Sequence, residues 1–358
     1  MFRLLAKTTL FTAIVIGGVA FLSGNTLACA VCLSYPEKTA ADHLLAADCV
    51  ILARQAPGDP FTYAPVECLR GVWKGDDIDL LVNSQTRRRL QSEPARKVVL
   101  LRDSQGEWLS LGIASPEFEA LTRRILLFAE KWKGEQGQRK RWEFFLPMFG
   151  HQDAAIGRLA YLELGRAPYD VVRKLGRMAS REDFMPLLTS PRFLEWRSLA
   201  ILLLAQSDAP GDQRYVIEAF RNASRFGPQS SLSAWAAAAI EVDGVKAIDD
   251  IEQRYFRRKD RTPEEIDAVA KALSLHGAQG ASAVRDRVVA SYAALLACSD
   301  EHMQLVADDL YTWKRTELTG QLSQILQQNA SLKPADRKSI LRYLGAASAA
   351  GERTLAID

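Results

Sequence analysis

Leu199-Ala200-Ile201, Trp235-Ala236-Ala237, Val269-Ala270-Lys271 and Val306-Ala307-Asp308 decide the reading of the C-terminal half. Each is the centre of an apolar, Ala-rich stretch with helical periodicity, and the central alanines lie 36, 34 and 37 residues apart. A small residue at a fixed point lets two helix axes approach closely. A period in the mid-thirties is that of a stacked helix pair. The alternative is an irregular all-α domain whose Ala-rich helices arise without a period.

Working outward, the spacing of apolar residues predicts only helices from His151 to the end. They cover 153–166, 169–178, 193–206, 213–224, 232–242, 245–256, 263–276, 281–297, 301–314, 317–328 and 334–349. Thr262-Pro263-Glu264-Glu265 is a capping box with proline at the first helical position, and Ser180-Arg181-Glu182-Asp183 has the same form. Gly277 is expected to stop one helix, and Gly277-Ala278-Gln279-Gly280 to form an interhelical loop.

The segment 48–112 has a different period. Stretches 49–54, 61–70, 78–82, 97–102 and 107–111 are short and rich in Val, Ile, Leu and aromatics, with turn residues between them. Five such strands imply a small antiparallel barrel or sandwich. Ser115-Pro116 then opens a helix through Trp132. The polar stretch 131–142 reads as a linker. Arg87-Arg88-Arg89 reads as a solvated loop between strands, with attraction of an anionic partner as the alternative.

At the N-terminus, Arg3 and Lys7 precede an apolar run of roughly 15 residues, short of the ~20 needed to span a bilayer. Ala28-Cys29-Ala30 follows. This is the layout of a secretory signal peptide cleaved after Ala30, so a periplasmic or extracellular location is expected. An uncleaved anchor, or a lipid on Cys29, are the alternatives. Counting from Val31 leaves 328 of the 358 residues, with no later span of membrane length. Without Arg3 and Lys7, 44 basic residues face 43 acidic ones, a net charge of +1. Such a balance gives no support for nucleic-acid binding.

The expected fold class is therefore α+β. Residues 1–30 form the signal peptide, 31–114 a small β domain, 115–150 a closing helix and linker, and 151–358 an α-helical repeat domain.

The helical half, over about 180–329, resembles HEAT-like repeats. It is less similar to tetratricopeptide repeats, whose Trp, Gly and Tyr positions do not recur. The resemblance implies an α-solenoid scaffold whose concave face binds a partner protein. The β half carries Cys29 and Cys32, then Asp48-Cys49-Val50-Ile51, then Val72-Trp73-Lys74-Gly75. On these it resembles the netrin-like fold, related to the OB-fold barrel, of tissue inhibitors of metalloproteases. In that family an N-terminal Cys presents its amino group and carbonyl to the protease zinc. Here the spacing is Cys-x-x-Cys instead of Cys-x-Cys, the further stapling cysteines are absent, and cleavage after Ala30 removes Cys29. The resemblance supports a barrel-like fold better than it supports inhibition.

No nucleophile elbow, phosphate loop or dinucleotide fingerprint occurs. No two of His43, His151, His276 and His302 are spaced as ligands on one helix, and His151-Gln152-Asp153 reads as a cap instead of a metal site. No catalytic, cofactor or metal residue is therefore assigned. Trp196, Trp235 and Trp313 serve either as core between repeats or as anchors on the concave face. The expected function is an exported, non-enzymatic scaffold for another protein. An N-terminal metalloprotease inhibitor and an enzyme built on unremarkable carboxylates are the rivals.

In an oxidising compartment, Cys49 and Cys68 are the expected disulfide. A hairpin centred on Pro57-Gly58-Asp59-Pro60 sets them opposite each other; a one-residue shift separates them, and Pro65 loosens the register. Cys298 is expected to be a buried free thiol.

Overall fold

The computed structural model describes residues 37–73, 75, 77–226 and 231–355. The expected leader, the expected cleavage point after Ala30, Cys29 and Cys32 lie outside them.

A capping box at Thr39 and Asp42 starts helix α1 (Ala40–Ala46). Strands β1 (Cys49–Ala56), β2 (Asp59–Arg70), β3 (Lys97–Arg102) and β4 (Trp108–Ala114) form one antiparallel sheet in the order β2-β1-β3-β4. The central strands β1 and β3 are buried on both faces, which is why they read as continuous apolar runs, Val50-Ile51-Leu52 and Val98-Val99-Leu100-Leu101. Val50, Leu52, Val99 and Leu101 face helices; Cys49, Ile51, Ala53, Val98 and Leu100 face the other way.

The sheet is open, not a closed barrel. The expected fifth strand, 78–82, does not join an edge. It lies over the second face with Ile78, Leu80 and Val82, and its Val82 N–H donates to the Phe61 carbonyl at 2.7 Å. Arg87-Arg88-Arg89, expected in a loop, instead lies on helix α2 (Ser84–Ser92), whose Leu90 helps cover that face. Asn83 caps α2, and the Arg87 guanidinium lies 5.0 Å from the Phe61 ring centre.

Helix α3 (Pro116–Phe128) starts at the Ser115 cap and packs Phe118, Leu121 and Ile125 beneath the sheet. The expected linker is a second helix, α4 (Gly134–Phe145). Its sequence hides it because its buried positions include a charged one, Arg141, beside Phe145.

Eleven of the remaining helices follow the periodicity closely. They are α5 (Ala154–Gly165), α6 (Tyr169–Gly176), α8 (Arg197–Leu204), α9 (Pro210–Phe226), α10 (Leu232–Asp243), α11 (Val245–Ile251), α12 (Pro263–Gln279), α13 (Ser282–Cys298), α14 (Met303–Trp313), α15 (Thr319–Gln328) and α16 (Pro334–Leu355). Helix α7 (Arg181–Thr189) was signalled only by its capping box, since Pro186 interrupts it. Gly277 does not end α12, which runs through the expected loop to Gln279. A Cβ there would lie 2.0 Å from the Trp313 ring, so only glycine allows α14 this close.

The packing is successive. Helix α6 contacts α8, α8 contacts α10, α10 contacts α12, α12 contacts α14, and α14 contacts α16. Helices α7, α9, α13 and α15 pack beside α8, α10, α12 and α16 respectively. Ala200, Ala236, Ala270 and Ala307 sit one each on α8, α10, α12 and α14, and all are 0% exposed. Replacing Ala236 or Ala270 by leucine should therefore cost ~1–3 kcal/mol through overpacking. Urea midpoints check this, and wild-type midpoints for both variants would contradict the close packing. One apolar core runs without a break from Leu44 and Val50 to Tyr343.

Candidate functional site

Where the β unit meets the first helices there is a cleft of about 700 Å³. Arg96, Ser115 and Glu117 line it from the sheet side, and the segment from Phe149 to Asp153 lines it from the helical side. Pro147 and Phe149 also border a neighbouring pocket of about 210 Å³ formed with Leu146, Met178, Ala179, Asp183 and Phe184. The first pocket is lined mainly by polar residues, and the second sets Asp183 among Leu146, Met178, Ala179 and Phe184.

Local sequence explains the polar end. Ser115 accepts from the Phe118 N–H at 2.9 Å and starts α3. Asp153 accepts from Ala155 at 2.8 Å and Ile156 at 3.2 Å and starts α5. The two caps line the same cleft, and the Ser115 hydroxyl helps to lower the Asp153 pKa. Burial raises the Asp153 pKa, but this hydroxyl and the helix amides outweigh it and hold the carboxyl below its usual range. The Asp153 N–H donates to His151 Nδ1 at 3.0 Å, leaving Nε2 of that ring for other partners. The expected cap at His151-Gln152-Asp153 is thus present. Ser115 and Asp153 are engaged in starting helices, and Arg96 pairs with Glu93 at 2.9 Å; His151, Gln152 and Glu117 also line the groove.

Phe149, which lines both pockets, joins an aromatic stack. Trp196 lies 5.6 Å from Tyr161, 5.0 Å from Phe193 and 6.2 Å from Phe149. Trp196 is core; Trp235 and Trp313 are half-buried, beside Tyr215 and Tyr292.

Three buried polar clusters escaped the sequence. The first joins α1, α4 and α5: Arg141 contacts Asp42 at 2.7 Å and Glu163 at 2.6 Å, while Thr39 also bonds Glu163 and Arg166 bonds Asp42. The second joins α6, α10 and α12: Glu241 accepts from Tyr169 at 3.1 Å and from Arg173 at 2.8 Å, with His276 Nδ1 at 3.9 Å. Burial pushes His276 down to about 4. In the third, the Tyr292 hydroxyl donates to Asp309 at 2.5 Å, with Ser274 beside them, and burial pushes Asp309 up to about 6. Perturbed groups of this kind also mark active sites, but Tyr292 and His276 are sealed at 0% and 1% exposure. A buried charge looks like any surface charge in a sequence; only a partner distant in the chain betrays it.

Among the described residues, no group of three or more His, Cys, Asp or Glu converges to hold a metal ion. None of their helices is long and apolar enough to cross a membrane. Cys49 and Cys68 lie on paired strands as free thiols, but not opposite each other. Register shifts in the hairpin set Ile51 against Cys68 and Val50 against Arg70. Cys298 is exposed instead of buried, because α13 ends there with its side chain outward. No protein-family model, curated protein or solved structure matches this chain.

Proposed function

We propose that the protein is an exported, non-enzymatic scaffold whose helical half is a HEAT-like solenoid and whose groove beside Phe149 holds a partner protein. The observation that carries this reading is the succession of α8, α10, α12 and α14, each with one fully buried repeat alanine. Such an array stacks quasi-one-dimensionally and leaves a long surface for a partner. The groove at its N-terminal end mixes apolar side chains, Phe149, Met178 and Phe184, with polar ones, His151, Gln152 and Asp183, a composition common in protein contacts. Asp183 and Arg96 set charges of both signs along it, which suits a mixed peptide segment better than a polyanion.

Photo-crosslinking in the native envelope fraction tests this. Met178 borders the groove and is 60% exposed; Leu341, on α16, is 53% exposed and distant in the array. A photoreactive residue at 178 should yield an adduct with one protein, and at 341 none.

A further inference from the structure

We infer that Cys49 and Cys68 are a thiol pair that a soluble disulfide oxidises to a cross-strand bridge, Cys68 meeting the oxidant first and Cys49 resolving it. The inference is independent of the groove and of any partner.

The geometry is built by an irregularity in the hairpin. Between the Val50–Arg70 and Ile51–Cys68 pairs the register slips, leaving Leu69 as an extra residue on β2. Side chains alternate along a strand, so Cys49 shares a face with Ile51, the partner of Cys68. The two cysteines are therefore diagonal neighbours on one face. The Cys68 thiol leans toward that end of the strand, donating to the Arg70 carbonyl at 3.3 Å and lying 3.5 Å from that of Gly71. The chain closes at Gly71, which has φ +77° and touches the backbone of Asp48; a Cβ there would lie 2.1 Å from the Asp48 oxygen. Arg70 then anchors the bulge to the end of α1, donating to Leu44 O at 3.2 Å and Leu45 O at 3.0 Å. Cys68 is near enough to act on the Cys49 thiol, whose pKa it helps to raise.

Their environments divide the labour. Cys68 lies on the edge strand and is exposed, whereas Cys49 is 1% exposed. Burial, and then the neighbouring Cys68, raise the Cys49 pKa, so it is inert until a sulfur is brought against it. With oxidised glutathione as oxidant, Cys68 Sγ loses its proton to solvent and attacks one glutathione sulfur. A Cys68–glutathione bond forms, the glutathione S–S bond breaks, and one glutathione thiolate leaves. Cys49 Sγ, losing its proton in turn, attacks Cys68 Sγ and expels the second glutathione. Two protein thiols are oxidised and one glutathione disulfide is reduced to two thiols.

Cys298 is the internal control, since it is exposed with only the Leu295 carbonyl, at 3.2 Å, as partner to its thiol. The full chain is incubated with excess oxidised glutathione and mapped by peptide mass spectrometry without reductant. The expected products are a Cys49–Cys68 linked peptide and glutathione retained on Cys298. Cys49→Ala should instead retain glutathione on Cys68. Glutathione persisting on Cys68 of the wild-type chain beside a free Cys49 would overturn the proposal. So would either cysteine joined to Cys32 or Cys298.

Discussion

Replacing Arg141 with methionine should destabilise the protein by about 3–5 kcal/mol, the usual cost of removing one partner from a buried ion cluster. The Arg141 side chain is 5% exposed and lies between Asp42 and Glu163, the latter only 2% exposed. Without it, two carboxylates remain in a water-poor site between α1, α4 and α5. Arg166 still reaches Asp42 and Thr39 still reaches Glu163, but no cation remains against Glu163. The cluster is not itself a large source of stability, since its desolvation offsets most of its Coulomb gain and Arg141 Nε has no partner. The double variant Arg141→Met, Glu163→Met should therefore recover much of the loss. Urea unfolding of the three chains checks both statements. A single variant within about 1 kcal/mol of wild type would refute the buried-cluster account.

Between about pH 4 and 6, two buried groups, His276 and Asp309, should oppose each other, and His302, also held down by burial, adds to the His276 side. His276 is held neutral, at about 4 against an ordinary 6.5, by burial against α10 with Nε2 2.8 Å from the Ala237 carbonyl. The unfolded chain takes up its proton first as pH falls. The stability His276 contributes is therefore complete above 6.5 and lost on the way down to about 4. Asp309 has the opposite sign. Its folded pKa of about 6 lies above the ordinary 3.8, so its contribution is complete below 3.8 and lost as pH rises through 6. Shifts of this size are each worth roughly 3 kcal/mol. Asp309→Asn should unmask the His276 slope, with stability rising by roughly that amount from pH 4 to 6.5. His276→Gln should unmask the reverse. Urea midpoints across this range decide it, and an Asp309→Asn profile parallel to wild type would contradict it. Below pH 4 a further group enters: Asp42 sits at about 2, so its contribution, present above 3.8, is lost as pH falls toward 2.

What was legible in the sequence follows from what leaves a compositional trace. The Ala-rich helices did, because packed helix contacts favour small residues such as Ala200, Ala236, Ala270 and Ala307, all fully buried. The apolar runs of β1 and β3 did, because both faces of those strands are covered. Helix α4 did not, since Arg141 fills a buried position and reads as polar. Helix α2 did not, because Leu90 alone among three arginines is its buried residue. The hairpin register depended on an extra residue at Leu69, which no alternation pattern reveals. The groove was visible only as the His151-Gln152-Asp153 cap. Its other wall, Arg96 and Ser115, comes from the β unit far earlier in the chain.

The central claim, that a helical array presents a groove for another protein, is tested most directly by the photo-crosslink at position 178. The account predicts one adducted protein from Met178 and none from Leu341. Equal adducts from 178 and 341, or none from 178 in the native envelope fraction, would contradict it.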